Sequence, residues 1–190
     1  KYLIKSLRPR HWTKNLIVFA APFFSFQFND LNSWIFSIGC FLLFVLSSSS
    51  IYLLNDCIDF ERDKYHPIKK FRVIASGFFP RRQAILLSIF LSLVSFIFAF
   101  SLNKNLFLII FSYTIIQILY CFKLKEKPIL DLFCIASGFV LRAIGGGISA
   151  NLFLSTWFLL TVGLMALFLA IEKRIAELSL SREKQKYTRK

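Results

Sequence analysis

Long apolar runs alternate with short polar segments along most of the chain. A helix that crosses a membrane needs about 20 mainly apolar residues. Six runs approach or reach that length, and each predicts a membrane span: 15–28, 34–54, 84–102, 106–122, 129–148 and 152–171. The first run is short and contains Pro22, so we expect it to be tilted, kinked or extended backwards through Trp12. In the second run, four consecutive serines at 47–50 predict close contact with neighbouring helices. The pattern predicts a single all-α domain, a multi-pass transmembrane helical bundle over residues 1–190.

Lys and Arg are distributed very unevenly among the polar segments. Segments 1–14, 55–82, 123–128 and 172–190 hold 22 of the 24, whereas the three alternate segments hold Lys104 alone. Loops on the cytoplasmic side of a membrane carry an excess of these residues. We therefore predict that both termini of this chain, the loop 55–82 and the basic tail 172–190 are cytoplasmic.

Composition limits the class of protein further. The chain has 190 residues, of which 56% are hydrophobic, a mean hydropathy of +0.62 and a formal charge of +14. A nucleic-acid binder needs its basic residues on one folded face, whereas these lie in blocks between spans, so no nucleic-acid partner is predicted. The four cysteines show no C-x-x-C spacing, which argues against a zinc site. A homo-oligomer stays an open alternative.

Acidic residues are concentrated at the end of the second run. Asp56, Asp59, Glu61 and Asp63 fall within eight positions, and Asn55, Asp59 and Asp63 recur at i, i+4 and i+8. On a continuing helix these side chains share adjoining strips of one face, where like charges repel unless a cation lies between them. Oxygen ligands of this kind suit Mg²⁺. We predict that Asn55, Asp56, Asp59 and Asp63 bind Mg²⁺; the alternative is a solvated acidic helix end.

Basic residues follow the acidic ones directly and complete a candidate phosphate site. They are Lys64, His66, Lys69, Lys70 and Arg72. A metal and cations together neutralise a diphosphate and stabilise it as a leaving group. His66 precedes Pro67, so we expect it to shape a turn, and a role as general base is the alternative.

A second polar cluster surrounds the start of the fifth run. It comprises Tyr120, Lys123, Lys125, Lys127 and Asp131. Because an ionisable group inside an apolar run is costly, Asp131 is expected to have a partner, either a second Mg²⁺ or Lys125. Arg142 lies eleven residues further along, about 16 Å on a helix. It is expected either deep in a polar cavity or extended to the far membrane face.

Several motifs together resemble those of a known family. The run 55–63 reads N-D-x-x-D-x-x-x-D and resembles the first aspartate-rich motif of the UbiA superfamily of intramembrane prenyltransferases. More specific segments resemble its decaprenyl-phosphate phosphoribosyltransferase branch. They are R-P-R-H-W-T-K-N at 8–15, F-A-A-P at 19–22, D-x-x-H-P-x-K-x-x-R at 63–72, L-K-x-x-P-x-x-D at 124–131, S-G-F-V-L-R-A at 137–143 and K-R-x-A-E-L at 173–178.

The resemblance implies a bacterial inner-membrane enzyme that uses Mg²⁺. It would transfer a phosphoribosyl group from phosphoribosyl diphosphate to a polyprenyl phosphate, for synthesis of cell-envelope glycan precursors. The implied catalytic residues are Asp59, Asp63, Lys69 and Asp131, and the implied substrate-binding residues are Lys14, Asn15, Lys69, Arg72, Tyr120, Lys125 and Arg142. Members of the family have nine spans, so this chain is expected to be incomplete at both ends and to lack the last three. The second motif keeps one aspartate, Asp131, where many members have two.

Two other functions stay open at this point. One is a UbiA-type aromatic prenyltransferase, whose donor is a polyprenyl diphosphate, as in quinone or haem biosynthesis. The acidic motif alone does not separate the two, because both enzymes bind a Mg²⁺-diphosphate. The other is a structural or lipid-binding membrane protein whose basic loops contact anionic head groups. That function leaves the face of carboxylates unexplained.

Overall fold

The computed structural model describes residues 2–188, with the side chains of all of them except Glu126, Pro128 and 177–188. Every regular element within this part is helical. The α-helices are α1 (Tyr2–Ser6), α2 (Ala20–Phe24), α3 (Leu31–Ile58), α4 (Phe60–Lys64), α5 (Arg81–Leu102), α6 (Lys104–Phe122), α7 (Pro128–Ser149) and α8 (Thr156–Thr188). Three 3₁₀ helices cover Pro9–Phe19, Lys69–Phe71 and Leu124–Glu126.

Among the residues described, four helices are long and apolar enough to cross a membrane. They are α3, α5, α6 and the part of α7 from Ile129 to Ser149. Each contains one of the predicted spans, from the second to the fifth, and the chain is a multi-pass membrane protein. The count of six spans is not confirmed. The sixth run falls mainly in α8, and its crossing of the membrane stays a prediction.

Residues 15–28 do not form the single spanning helix predicted from their apolar composition. They lie instead in the 3₁₀ helix Pro9–Phe19, in α2 and in the turns after it. Pro9 occupies the first turn of the 3₁₀ helix, and Arg8 before it adopts the left-handed conformation with φ of 54°. A left-handed arginine is strained, so the surrounding contacts hold this bend in place.

Side chains of the long 3₁₀ helix face the centre of the bundle at a spacing of three. Residues i and i+3 are eclipsed in a 3₁₀ helix, which places Trp12, Asn15 and Val18 on one face. Trp12 Nε1 donates to Ser49 Oγ at 3.1 Å, and Asn15 Nδ2 donates to Ser48 Oγ at 3.3 Å. This segment therefore follows its polar contacts with α3 rather than the period of an α-helix.

Gly146 on α7 allows the same 3₁₀ helix to approach closely. A Cβ atom at this position would lie 2.1 Å from the carbonyl oxygen of Val18. Backbone contact at that distance requires glycine, because no real Cβ atom comes so close to backbone. The 3₁₀ helix is thus fixed between α3 on one side and α7 on the other.

The serines at 47–50 contact three neighbouring elements. Ser47 hydrogen-bonds Thr114 on α6 at 2.8 Å, and Ser50 hydrogen-bonds Ser88 on α5 at 3.2 Å. Ser48 and Ser49 accept from the 3₁₀ helix as described above. All four serines are buried, so the predicted close contact is confirmed. Small hydroxyl side chains join helices in this way where no water is available.

Helix directions divide the bundle into two ends. At the basic end, α3 and α6 terminate and α5 and α7 begin, and the polar segments with most of the lysines and arginines lie there. Helix α3 continues to Ile58, past the predicted end of its span, and so carries Asn55 and Asp56 on its last turn. The apolar core, which includes Cys40, Phe44 and Ile110, lies between this end and the opposite one.

Candidate active site

A cavity of about 550 Å³ opens between α3, α6, α7, α8 and the 3₁₀ helix Pro9–Phe19 at the basic end. Nine of the twelve residues predicted to be catalytic, substrate-binding or metal-binding line it: Lys14, Asn55, Asp59, Lys69, Arg72, Tyr120, Lys125, Asp131 and Arg142. The other three, Asn15, Asp56 and Asp63, are buried just behind its wall. Residues distant in the sequence therefore converge on one site.

Asn55 and Asp59 face the cavity from the last turn of α3 and from the residue after it. The N–H of Asp59 donates to the carbonyl of Asn55 at 2.9 Å, so the i, i+4 spacing persists through the helix end. Lys125 Nζ lies 2.6 Å from Asp59 Oδ1 and 3.5 Å from Asn55 Oδ1. Two side-chain oxygens thus converge on one cationic nitrogen.

Asp56 and Asp63 occupy the adjoining strip and bind arginines. Arg72 Nη1 lies 3.1 Å from Asp56 Oδ1 and 2.5 Å from Asp63 Oδ2, which joins the two carboxylates. Arg8 forms a second ion pair with Asp56 and lies over the ring of Tyr52 at 5.1 Å. Only 4% of Asp56 and 3% of Asp63 is exposed. The repulsion expected among the carboxylates is relieved here by arginine side chains.

The four predicted metal ligands therefore differ in what they contact. Among the described residues, no group of three His, Cys, Asp or Glu side chains converges to hold a metal ion. Asn55 and Asp59 do present two oxygens to one cation, the ammonium of Lys125. Mg²⁺ is commonly held by one or two protein oxygens together with water and substrate phosphates. The donor set fits Mg²⁺ in that manner, whereas Asp56 and Asp63 are engaged by arginine.

Arg142 lies deep in the cavity on α7, and 5% of it is exposed. Its Nε donates to Asn15 Oδ1 at 2.6 Å, its Nη1 to the Gly138 carbonyl at 2.7 Å and its Nη2 to the Tyr113 hydroxyl at 2.7 Å. Of the two locations left open by the sequence, the buried one is therefore correct. Asn15, grouped in the sequence with the substrate-binding residues, is fully buried behind Arg142 and does not line the cavity.

Asp131 contacts partners other than the lysine proposed for it. Lys125 pairs with Asp59, so the expectation of an Asp131–Lys125 pair is wrong. Asp131 Oδ2 instead lies 4.0 Å from Arg174 Nη1 on α8, and Tyr120 lies close to Asp131 in the same cavity wall. The loop between α6 and α7 carries Lys125 away from Asp131, which is near it in the sequence, to the end of α3, where it pairs with Asp59.

Positive charge dominates the cavity wall. Two carboxylates line it, Asp59 and Asp131, against eight cations: Arg8, Lys14, Lys69, Arg72, Lys125, Arg142, Lys173 and Arg174. Burial and then the charges of Lys173, Arg142 and Arg8 lower the pKa of Lys14. Burial and then the nearby cations, Lys14 first, lower the pKa of His11. A polyanion entering this cavity would relieve that repulsion.

His66 shapes the turn between α4 and the 3₁₀ helix Lys69–Phe71. Its Nδ1 accepts from the backbone N–H groups of Ile68 and Lys69, both at 3.2 Å. The expected turn role is confirmed, and His66 is not among the residues that line the cavity. Lys69 does line it, so the turn positions this lysine at the site.

Several lining residues were not singled out individually in the sequence. Tyr113 and Gln117 share the face of α6 that carries Tyr120, at i, i+4 and i+7. Polar residues at helical spacing within an apolar span were an available signal. Arg8, His11, Lys173 and Arg174 belong to motifs quoted above, but the sequence analysis gives them no individual role in the site.

Comparison with known proteins extends these observations. The model of the UbiA prenyltransferase family matches residues 16–178. A decaprenyl-phosphate phosphoribosyltransferase from Mycolicibacterium smegmatis is 42% identical over 185 residues, covering 94% of this chain and 58% of the relative. The protein of that name from Mycobacterium tuberculosis is 36% identical, covering 94% of this chain and 61% of its own. The one from Corynebacterium glutamicum is 39% identical and is covered over 55% of its length.

Solved structures show the same fold. A UbiA homologue from Archaeoglobus fulgidus bound to GPP and Mg²⁺ superposes with a TM-score of 0.82 at 20% identity. The match covers 96% of this chain and 65% of that one. The present chain thus spans 55–61% of the length of the curated relatives described above.

Proposed function

The chain belongs to the UbiA prenyltransferase family, and we propose that the protein carrying it is a Mg²⁺-dependent phosphoribosyltransferase. The donor is phosphoribosyl diphosphate, and the acceptor is a polyprenyl phosphate such as decaprenyl phosphate. The names of the relatives at 36–42% identity support this assignment. We further propose that the basic end faces the cytoplasm at the bacterial inner membrane and that the product feeds cell-envelope glycan synthesis.

The observation that carries the proposal is the charge of the cavity wall. Eight cations and two carboxylates line a space of about 550 Å³ between membrane-spanning helices. Phosphoribosyl diphosphate and a lipid phosphate together bring three phosphorylated groups to one site. Arg8, Arg72, Lys125 and Arg174 already form ion pairs with carboxylates. Arg142 is the buried cation of the wall, and a buried charge is costly unless it is compensated, so the phosphate groups would compensate Arg142 above all.

We assign the donor diphosphate to the part of the cavity beside Asn55 and Asp59. Lys125 pairs with Asp59, and Arg72 pairs with the neighbouring Asp56. Both line the cavity together with Lys69, and the three side chains would bind the diphosphate oxygens. Asn55 and Asp59 would hold a Mg²⁺ ion, which neutralises diphosphate charge and improves it as a leaving group. Asp56 and Asp63 act indirectly, since they hold the Arg72 guanidinium in place.

The reaction then requires alignment more than acid–base chemistry. An oxygen of the acceptor phosphate attacks the anomeric carbon of the donor, and the bond from that carbon to the diphosphate oxygen breaks. The acceptor is already an anion, so no strong general base is needed. Asp131 and Tyr120 line the same cavity and would bind the ribose hydroxyls, the Asp131 carboxylate as an acceptor and the Tyr120 hydroxyl as a donor. Alignment and charge neutralisation account for most of the catalysis.

The lining of the cavity is mixed. It includes polar groups that suit a sugar and phosphates, which are Gln117, Tyr113 and the guanidinium of Arg142. It also includes apolar side chains that suit the hydrocarbon of a polyprenyl substrate: Ile51, Ile135, Phe139, Leu169 and Ala170. Because hydrocarbon beside a buried cation gains nothing and desolvates the charge, the surroundings of Arg142 favour the phosphoribosyl donor over the prenyl one.

One assay tests the proposal directly. Membranes that carry the whole polypeptide are incubated with radiolabelled phosphoribosyl diphosphate and a polyprenyl phosphate, first with Mg²⁺ and then with EDTA. We expect label in the lipid fraction only with Mg²⁺ and a loss of roughly 100-fold or more in Asp59→Asn. Glu61→Gln, an exposed carboxylate on α4 that does not line the cavity, is the matched control and should retain activity. No transfer by the native protein would contradict the proposal.

A further inference from the structure

Arg142 is a buried cation whose observed partners are all neutral. Its guanidinium has five N–H donors, and three of its nitrogens donate to an amide, a carbonyl and a hydroxyl. Among the described residues, no carboxylate forms an ion pair with it. A buried charge without a counter-ion is expensive in a membrane protein and marks a ligand site.

Lys14 and Lys173 reach the same cavity from two other elements. Lys14 lies on the 3₁₀ helix Pro9–Phe19, and Lys173 lies on α8. Lys173 and Arg142 are near enough to Lys14 for their charges, after burial, to lower its pKa. Three cations from three separate parts of the sequence therefore face one space.

Hydrogen bonds hold the Arg142 side chain in a fixed orientation at the cavity wall. The Asn15 amide is fully buried and connects Arg142 to Ser48 on α3. The guanidinium also lies 4.6 Å from the centre of the Tyr113 ring. Contacts from the 3₁₀ helix Pro9–Phe19, α6 and α7 fix its plane, and a fixed guanidinium binds a tetrahedral oxyanion with little further ordering.

We propose that Lys14, Arg142 and Lys173 form a phosphate monoester subsite, separate from the diphosphate subsite at Asp59. The proposal rests on the proposed function for its two candidate ligands, the 5-phosphate of the donor and the phosphate of the lipid acceptor. Both are dianionic monoesters near neutral pH. Asn55 and Asp59 do not contribute to this subsite, so it binds its ligand without metal.

Binding measurements in EDTA test the subsite apart from catalysis. The intact protein in nanodiscs is titrated with ribose 5-phosphate and, separately, with farnesyl phosphate. We expect at least one probe to bind about tenfold more weakly to both Lys14→Met and Lys173→Met. Lys5→Met, which removes an exposed lysine of α1 outside the cavity, is the matched control and should bind like the native protein.

The two probes identify the source of the monoester. Weaker binding of ribose 5-phosphate alone assigns the subsite to the donor, and weaker binding of farnesyl phosphate alone assigns it to the acceptor. Asp59→Asn should bind both probes normally in EDTA while it loses transfer. Arg142→Lys, which keeps the charge but loses the fork of donors, should weaken the same probe as the two lysine variants.

Two results would overturn the subsite. One is native-like affinity of Lys14→Met and Lys173→Met for both probes. The other is failure of the native protein to bind either probe in EDTA. A third result separates the two proposals. If the native protein binds a probe and these variants lose that binding, but the native protein has no transferase activity, the subsite stands and only the proposed function is contradicted.

Discussion

Lys125 Nζ and Asp59 Oδ1 are 2.6 Å apart, so the segment between α6 and α7 is closed over the end of α3 by an ion pair. The same nitrogen lies 3.5 Å from Asn55 Oδ1. Lys125 thus occupies the point on which both oxygens converge. Binding of a metal–diphosphate there requires the lysine to move from the carboxylate towards a phosphate oxygen.

Replacement of Lys125 by methionine should separate metal binding from donor binding. Without the ammonium group, Mg²⁺ no longer competes with Lys125 for Asp59. We therefore expect the affinity of the protein for Mg²⁺ in the absence of donor to rise about tenfold. The KM for the donor should also rise, because a phosphate ligand is lost. Calorimetric titration with Mg²⁺ measures the first effect, and Lys104→Met at the opposite end is the control. Weaker Mg²⁺ binding in Lys125→Met would contradict this role.

Asp56 should affect stability rather than metal affinity. Asp56→Asn leaves Arg8 and Arg72 near a neutral amide, and loss of one partner from a buried ion pair costs roughly 3–5 kcal/mol. We expect a clear fall in Tm in detergent, against little change for the exposed Glu61→Gln. If Asp56→Asn kept its Tm but lost Mg²⁺ affinity as Asp59→Asn does, Asp56 would be the ligand that the sequence predicted.

The 3₁₀ helix Pro9–Phe19 should depend on Gly146. A methyl group there would meet the Val18 carbonyl oxygen at 2.1 Å, so Gly146→Ala forces the 3₁₀ helix away from α7. We expect a loss of about 1–3 kcal/mol or more in the free energy of unfolding. Thermal unfolding measures this loss. Gly39→Ala is the control, because its nearest neighbour would be a Leu102 methyl group at 3.9 Å. Equal Tm values for the two variants would contradict the close packing.

Anion binding should be coupled to proton uptake by His11. Burial and surrounding cations lower the pKa of His11 below 6.5, so its imidazole is neutral near pH 7. A bound dianion stabilises the protonated form and raises that pKa, and affinity therefore increases as pH falls through the pKa of His11 in the bound state. Sulfate is a suitable probe because it does not titrate between about pH 5 and pH 8. His11→Asn should remove this pH dependence, and an unchanged slope would refute the coupling.

Apolar run length and basic loops were sufficient to predict an all-helical membrane bundle and four of its spans. The segment 15–28 was not predictable in the same way, since its fold depends on tertiary contacts. Asn15 and Trp12 bind serines of α3, and Gly146 admits the backbone beside α7. The composition of the segment does not indicate these tertiary contacts.

The site shows a similar division. Nine cavity residues were identifiable from charge placement and motif resemblance. The spacing predicted Asn55, Asp59 and Asp63 together on one continuing helix, whereas α3 ends at Ile58 and Asp63 on α4 shares Arg72 with Asp56. The spacing also did not indicate which of these side chains face the cavity. That depends on Arg72 and Arg8, which approach Asp56 from distant segments. Lys173 was attributed to topology because a basic loop residue and a phosphate ligand look alike in a sequence.

The central claim concerns the donor, and a comparison of two labelled donors tests it most directly. Membranes with the whole polypeptide, Mg²⁺, a polyprenyl phosphate and an aromatic acceptor are given either labelled phosphoribosyl diphosphate or a labelled prenyl diphosphate. We predict EDTA-sensitive transfer to the polyprenyl phosphate from phosphoribosyl diphosphate and none from the prenyl donor. Transfer of the prenyl label to the aromatic acceptor, without phosphoribosyl transfer, would contradict the account.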